Sequence, residues 1–544
     1  MTSVDGLGRV GTLRSLATGA LGFLAVGITA SHQGAYFPPA WGWSALGFLL
    51  VVAAVLVFRG ALEIARLRLI FLAGMASLVL WTTLSLVWSA SIPRTIDEIE
   101  RSIIYVAAIA ALFALASSEH RLHLIAGVLA SIVVISAYSL VLRAGGAVDT
   151  EGLSGPLGYW NALGVIAAIG VVLAVGLASR ASPRVVRAGA VGSLPVLAVA
   201  LLFTQSRGAL VALVFGLLVY FALDPRVRRV ALVAAVAALM AAAATSAVWP
   251  GGPGDLVSRA YAAFSAPIGR NGEPEESPFT LSGNERAAYW RVAWSEYLEH
   301  PVLGSGAGTF AIFWQRDRET IYGAQDAHSL YLETLAELGP VGVLLVGGAL
   351  AIPLLALRRA LPDALERAAT AAYVAFLIHA GLDWDWEVPA VTLAGLFCGC
   401  AVLLGVPDQR RPISSALRAR GLTLVTAVAA LVTIGYAGNA AMQRSLQAVA
   451  LGDLERSDGQ AQTAGFWNPW SSDALRVQGE IARARGYPGD AASSFRAAIA
   501  IDRNDWRLWY DLALVTEGDE HERTLDEAER LNPLSPEVRA LRDR

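Results

Sequence analysis

The 544-residue sequence is 55% apolar and only 16% charged, whereas soluble domains carry roughly a quarter charged residues; its mean hydropathy is +0.52. A net charge of -3 leaves no basic excess to neutralise a phosphate backbone, which excludes nucleic acid as an expected partner. Every cationic side chain other than histidine is arginine, and the two cysteines, Cys398 and Cys400, share one apolar run where packing is expected rather than a disulfide or a zinc site.

Apolar runs of about 17 to 25 residues, long enough to cross a bilayer, recur from the first segment onward. They fall near 14–31, 41–58, 69–89, 102–118, 123–142, 159–179, 186–204, 208–224 and 229–249, then near 336–357, 368–383, 388–405 and 418–437. The reading is an all-α polytopic membrane protein of about 13 transmembrane helices. The first run leads straight into further spans and reads as an anchor, not a cleaved signal. Arginine-rich connections alternate with arginine-poor ones. Arg59, Arg66 and Arg68, then Arg180, Arg184 and Arg187, then Arg226, Arg228 and Arg229, all fall on one side; so do Arg358, Arg359 and Arg367, and Arg410, Arg411, Arg418 and Arg420. The positive-inside rule makes that side cytoplasmic. It places the N-terminus inside and the 250–335 loop and the C-terminal tail outside. The expected division is a membrane domain over 1–437 and a helical-repeat tail over 438–544. Within the tail, two units of about 34 residues have the length and small-residue placement of tetratricopeptide repeats, the Ala-rich "AASSFRAAIAID" being the recognisable part; 440–470 reads as a degenerate first unit. The alternative is a plain helical tail.

Four polar groups stand out. Arg207, in "LLFTQSRGALVALV", is apolar on both sides. It either snorkels to the interface or faces a cavity and holds an anion, with Gly208 allowing close approach. In "LSGNERAAYWRVAWSEYLEHP" a helix is expected, with Ser282 and Glu285 at capping-box spacing. Arg286 lies a turn before an aromatic stripe of Trp290, Trp294 and Tyr297. Gly304, Gly306 and Gly308 read as a bend; no strand precedes them to make a phosphate cradle. The helix expected through "AQDAHSLYLETLAELG" puts Asp326, Glu333 and Glu337 on one water-facing side, with His328 nearly opposite beside Tyr331 and Leu335. A buried histidine bonded to a backbone carbonyl is one account; a general base, given its near-neutral pKa, is the other. Asp383, Asp385 and Glu387 in "HAGLDWDWEVPA" are either structural or acceptor-side, or a D-x-D pair for a divalent cation; the structural side is preferred.

"SRG" at 206–208, "NERAAYWRVAWSEYLEHPVLGSGAGTF" and "AHSLYLETLAELGPVG", with "GYWNALG" at 158–164, together resemble the O-antigen ligase and polymerase family of bacterial polysaccharide assembly. That resemblance implies a C-type integral membrane glycosyltransferase. Such an enzyme moves a glycan from a polyprenyl diphosphate carrier to an acceptor hydroxyl at the external face of the cytoplasmic membrane, with inversion and without a metal or cofactor. By motif, Arg207 and Arg286 look like the arginines that grip the diphosphate, and His328 like the catalytic histidine. Arg291, Asn161 and Tyr331 are placed with them as substrate-binding residues. The implied partners are the lipid-linked donor, a lipid, glycan or protein acceptor, and a protein bound through the tail. A thirteenth span and external repeats depart from the family pattern of about twelve spans. A small-anion transporter would also use membrane arginines, but it would show repeat symmetry between its halves, which is not evident. A membrane-anchored repeat scaffold leaves Arg207, Arg286 and His328 unexplained.

Overall fold

The computed structural model describes residues 2–146, 152–179, 182–225, 283, 285–359, 363–407 and 409–543, with isolated positions between 227 and 262. Among them run α1 (Thr2–Ser31), α2 (Pro38–Phe58), α3 (Arg66–Leu84), α4 (Ile92–Leu115), α5 (Arg121–Ala144), α6 (Trp160–Leu177), α7 (Arg184–Thr204) and α8 (Arg207–Ala222). After the 250–285 stretch come α9 (Arg286–Glu299), α10 (Phe310–Asp317), α11 (Leu330–Ala356), α12 (Ala364–Ala380), α13 (Pro389–Gly405) and α14 (Ser415–Ala450). Eight described helices are long and apolar enough to cross a membrane, while α8 and α13 are apolar but shorter. The chain is an all-α polytopic membrane protein. Each expected span has a described helix except 229–249, which lies outside the described residues save Met240.

Helices apolar all round belong inside a bundle. Accordingly α13 is buried from Pro389 through Leu404 and α6 along nearly its whole length. At one end of the bundle the arginines close helix C-termini, where the last carbonyls lack intrahelical partners. Arg14 donates to Leu115 O at 2.9 Å, Arg59 to Ala114 O at 2.7 Å and Arg418 to Val57 O at 2.9 Å. A two-stranded antiparallel pair joins β1 (Glu63–Ala65) to β2 (Arg410–Pro412) at this end, with Ile64 opposite Arg411.

At the other end the connections knit together. Ala90 N donates to Ser305 O at 2.9 Å, Thr95 Oγ1 to Ala307 O at 2.8 Å, and Leu153 N to Phe203 O at 3.0 Å. The glycine bend holds φ of 74°, 106° and 76° at Gly304, Gly306 and Gly308, a region only glycine enters freely.

Two local expectations change here. Asp326 and His328 precede α11, which starts at Leu330, so the three carboxylates do not form a wet helical face. Instead Glu333 and Glu337 are buried and bind loop amides. Glu333 accepts from Ala327 N at 2.6 Å; Glu337 accepts from Gly308 N and Phe310 N, each at 2.9 Å. Donors left over by a tight loop need acceptors more than the helix needs a charged outer face. The residue before α9 is Glu285, in a left-handed conformation (φ 61°) and without a side-chain cap bond, while Ser282 of the expected capping box lies outside the described residues.

The tail begins without a break: α14 runs from Ser415 to Ala450, through the boundary expected near 437. It continues as α15 (Leu454–Trp467), α16 (Asp473–Ala484), α17 (Pro488–Ile501), α18 (Trp506–Ala513), α19 (Gly518–Leu531) and α20 (Pro536–Arg542), successive helices packing on one another. The tail rests on the loop-bearing end. Asp502 accepts from Ser91 Oγ at 2.6 Å, Asn504 donates to Ala90 O at 2.7 Å, Arg318 donates to Asn532 at 2.8 Å, and Asn439 donates to Glu100 at 2.8 Å.

Replacing Glu337 by alanine removes the acceptor from two buried amides and is expected to destabilise the protein by about 1–3 kcal/mol. Thermal unfolding of the detergent-solubilised protein checks this; an unchanged midpoint would contradict the bracing role of this carboxylate.

Candidate functional site

The site is built around Asp383, which is buried in the turn between α12 and α13. A carboxylate withdrawn from water must be paired and hydrogen-bonded, and four groups converge on it. Tyr159 Oη donates to Oδ1 at 2.9 Å, Asn161 Nδ2 to Oδ2 at 2.7 Å, the Trp384 amide to Oδ1 at 2.9 Å, and the Arg286 guanidinium forms an ion pair with Oδ2. Arg286 also donates through Nε to Leu382 O at 2.6 Å, so its planar fork is held at two points from the first turn of α9. Burial alone would raise the Asp383 carboxyl, but Arg286, His328 and His379 hold it below the usual carboxylate range.

His328 approaches the same group. Its backbone takes φ 56°, uncommon for a residue with a side chain, and Glu333 fixes the loop by accepting the preceding amide. The ring lies against Tyr289 at 4.5 Å in a stacked arrangement and meets Trp384 edge-on at 6.5 Å. Its Nδ1 lies 3.0 Å from Asp326 O. A carbonyl can only accept, so Nδ1 carries the proton and the neutral ring offers its lone pair at Nε2. Burial pushes the imidazole down to about 4; Asp383 opposes that shift and Arg286 adds to it.

Arg207 opens α8 after a left-handed Gln205 (φ 55°), with Ser206 Oγ accepting from Ala209 N at 3.2 Å. Its guanidinium lies within electrostatic reach of Arg286. Gly208 packs so closely on α12 that an added Cβ would stand 3.0 Å from His379 Nε2. His379 in turn pairs with Asp385 at 3.1 Å.

The structure thus brings Arg286, His328 and Asn161 together around Asp383, with Arg207 in electrostatic reach of Arg286. It does not bring Arg291 to them: that side chain is exposed on another face of α9, 3.8 Å from Glu319. Successive arginines five residues apart diverge on a helix. Tyr331 spends its hydroxyl on Leu377 O at 2.9 Å, packed over Gly381. The D-W-D carboxylates do not sit together as a cation pair, since Asp383 binds Arg286 and Asp385 binds His379. A different trio, Asp326, Glu333 and Glu387, brings carboxylate oxygens within 4.8 Å of one another. Arg101 already supplies positive charge there through its pairs with Glu387 and Glu98. Sequence reasoning missed Tyr289, Trp384 and Arg101. The charged opening of α4, "IPRTIDEIERS", was the available signal for Arg101.

Residues 192–347 match the family model described as O-antigen ligase, so an O-antigen ligase domain lies in this part of the chain. The match includes Arg207, Arg286 and His328, while Tyr159, Asn161 and Asp383 lie outside it. No curated protein matches the sequence.

The folded His328 ring stays neutral above about 4, whereas the unfolded one titrates near 6.5. Between these values the unfolded chain takes up a proton that the native ring refuses, so this residue's contribution to stability falls as pH drops through that window. NMR titration of histidine-labelled protein, with His328→Gln to assign the signal, should show a ring titrating near 4; a midpoint at the ordinary value would refute the burial argument.

Proposed function

We propose, with the O-antigen ligase domain as premise, that this membrane protein transfers a glycan from a polyprenyl diphosphate carrier to an acceptor hydroxyl, inverting the anomeric centre without a metal. The observation that supports this reading is that the Arg286 guanidinium pairs with Asp383 close to the His328 ring, whose Nδ1 is turned to Asp326 O at 3.0 Å, with Arg207 in electrostatic reach of Arg286. A small-anion transporter needs the guanidinium groups but not the oriented imidazole.

Arg207 and Arg286 would bind the diphosphate oxygens through planar, permanently charged forks. As the acceptor oxygen attacks the anomeric carbon, His328 Nε2 takes the hydroxyl proton. The bond from that carbon to the diphosphate oxygen breaks, and its electron pair stays with the diphosphate, whose growing charge the arginines stabilise. Asp383 acts before the donor arrives, holding Arg286 in place as a positioning residue and keeping the buried cation paired. The Nδ1–H bond to Asp326 O keeps Nε2 as the basic nitrogen.

On this reading the loop-bearing end faces the outside of the cytoplasmic membrane and the arginine-capped end faces in, in accord with the positive-inside rule. The tail helices would then stand outside as a repeat module that receives the acceptor or an assembly partner, and the product would be a surface polysaccharide or glycoconjugate.

His328→Ala is expected to lower transfer by roughly 10²–10⁴-fold, the usual worth of a general base, while the protein still inserts and unfolds as the parent does. Arg286→Lys should also fail, because an ammonium cannot reproduce the two-point fork. Reconstituted protein with lipid-linked donor provides the assay, and full activity in either variant would sink the mechanism. Transfer should persist in excess chelator; loss there with rescue by a divalent cation would point to the Asp326, Glu333 and Glu387 trio instead.

A further inference from the structure

Glycines seat α8 hard against α12. An added Cβ at Gly216 would stand 3.2 Å from both Ala371 O and Ala375 Cβ, and one at Gly208 would stand 3.0 Å from His379 Nε2 and 3.3 Å from its Cδ2. Ala371, Ala375 and His379 are four residues apart and so share the face of α12 that meets α8. The two helices run antiparallel along this contact. Its last member sets the Nε2 edge of an imidazole against the first turn of α8.

The transfer step above makes no use of that imidazole. His379 is fully buried, and among the described residues its Nε2 has no hydrogen-bond partner. A buried polar atom left in this way costs free energy unless something else satisfies it. The other ring nitrogen is spoken for: Nδ1 lies 3.1 Å from Oδ1 of Asp385, which is buried as well. A carboxylate accepts and does not donate, so Nδ1 carries a proton. The buried charge of Asp385 is balanced when the ring is an imidazolium, whose second N–H is at Nε2. What Nε2 faces suits an anion too. The helix α8 has 16 residues, and its first turn is the positive pole of the helix dipole. Ser206 orders that turn, accepting from Ala209 N through its hydroxyl and from Leu210 N through its carbonyl, each at 3.2 Å. The Arg207 side chain leaves from the same turn.

We propose that His379 binds a phosphate of the donor, which rests at the N-terminus of α8 beside Arg207 and accepts from His379 Nε2. The inference rests on the transferase reading and gives its diphosphate a further ligand. Helix N-termini receive phosphate through backbone amides and the dipole, and an imidazolium adds a charge-assisted hydrogen bond. Gly208 then does more than permit close packing, since a methyl group there would cover Nε2. The turn after α12 ties this site to the second arginine. Leu382 N and Asp383 N donate to His379 O at 2.8 and 3.0 Å, while Arg286 Nε donates to Leu382 O at 2.6 Å. One backbone turn thus sets both His379 and the anchor of Arg286.

The two ring nitrogens have separate amide stand-ins. Asparagine places its NH₂ near Nδ1 and keeps a bond to Asp385, whereas glutamine reaches the position of Nε2. Full-length protein in detergent is titrated calorimetrically with farnesyl diphosphate, with farnesol as the phosphate-free control. His379→Asn should melt as the parent does yet bind farnesyl diphosphate about tenfold more weakly or worse, the usual worth of a hydrogen bond to a charged group. His379→Gln should bind it more tightly than His379→Asn; a role confined to holding Asp385 predicts the reverse order. Gly208→Ala leaves the His379–Asp385 pair intact and should weaken binding as His379→Asn does, which supplies the test if His379→Asn does not fold. Farnesol should distinguish none of these proteins. Undiminished diphosphate binding in His379→Asn or Gly208→Ala, the reverse order of the two amides, or an equal loss toward farnesol would overturn the proposal. A parent that binds no farnesyl diphosphate would defeat the donor reading together with this one, whereas a parent that binds it, with both variants unchanged, sinks this inference alone.

Discussion

The arrangement depends on one buried ion pair. Asp383 sits in a turn at the end of the bundle, where an unpaired carboxylate would carry a desolvation penalty of several kcal/mol. Its four donors come from three separate stretches of chain: Tyr159 and Asn161 at the start of α6, Arg286 at the start of α9, and the Trp384 amide in the same turn. Satisfying one acid therefore fixes where α6, α9 and the α12–α13 turn stand relative to each other. It also fixes the charge environment of His328, which feels Asp383 and Arg286 with opposite sign. Such a pair is weak ground for stability, because well-packed apolar residues often do as well. Its worth here is geometric: a guanidinium held at two points cannot wander when its other face meets a ligand.

The parts legible in the sequence were those set by local or periodic rules. Membrane spans announce themselves because a bilayer demands an unbroken apolar run, and the described helices follow the hydropathy segments. The start of α4 did not, because Asp97, Glu98, Glu100 and Arg101 occupy turns that protein covers, not lipid. Motif order picked out Arg207, Arg286 and His328 but could not reveal Asp383 as the group that Arg286 and His328 share. The Asp383–Arg286 pair spans 97 residues and the Asp383–Asn161 bond 222, and no spacing rule reaches that far. The carboxylates of α11 were assigned the right period and the wrong phase. Periodicity tells which side chains share a side, whereas the tight glycine bend beside Glu337 decides that this side faces inward.

Aromatic rings enclose the His328 imidazole. Tyr289 stacks on one face of His328, and Trp384 meets its edge while resting on Tyr159. Rings of this size exclude water without offering a competing proton acceptor. The imidazole is thereby held neutral by burial, although acidic groups stand nearby. Asp326 illustrates the balance: burial lifts its carboxyl to about 7 even with Arg101 and Arg94 close by.

The helix α14 gives the assembly its last constraint. A membrane bundle and a helical tail joined by a flexible linker would sample many orientations, and any surface between them would change with each. Here a single helix of 36 residues crosses from apolar surroundings into the tail. Asn439 on that helix binds both Glu100 of α4 and Asn468 of the tail, each at 2.8 Å. Gly438 beside it lets Asn468 approach so closely that any side chain there would collide with the amide. The rigid helix sets the direction of the tail, and the amide contacts set its rotation. The tail side of the void lined by Phe37, Asn439 and Trp470 is thus fixed by the same bundle that positions Asp383 and Arg286.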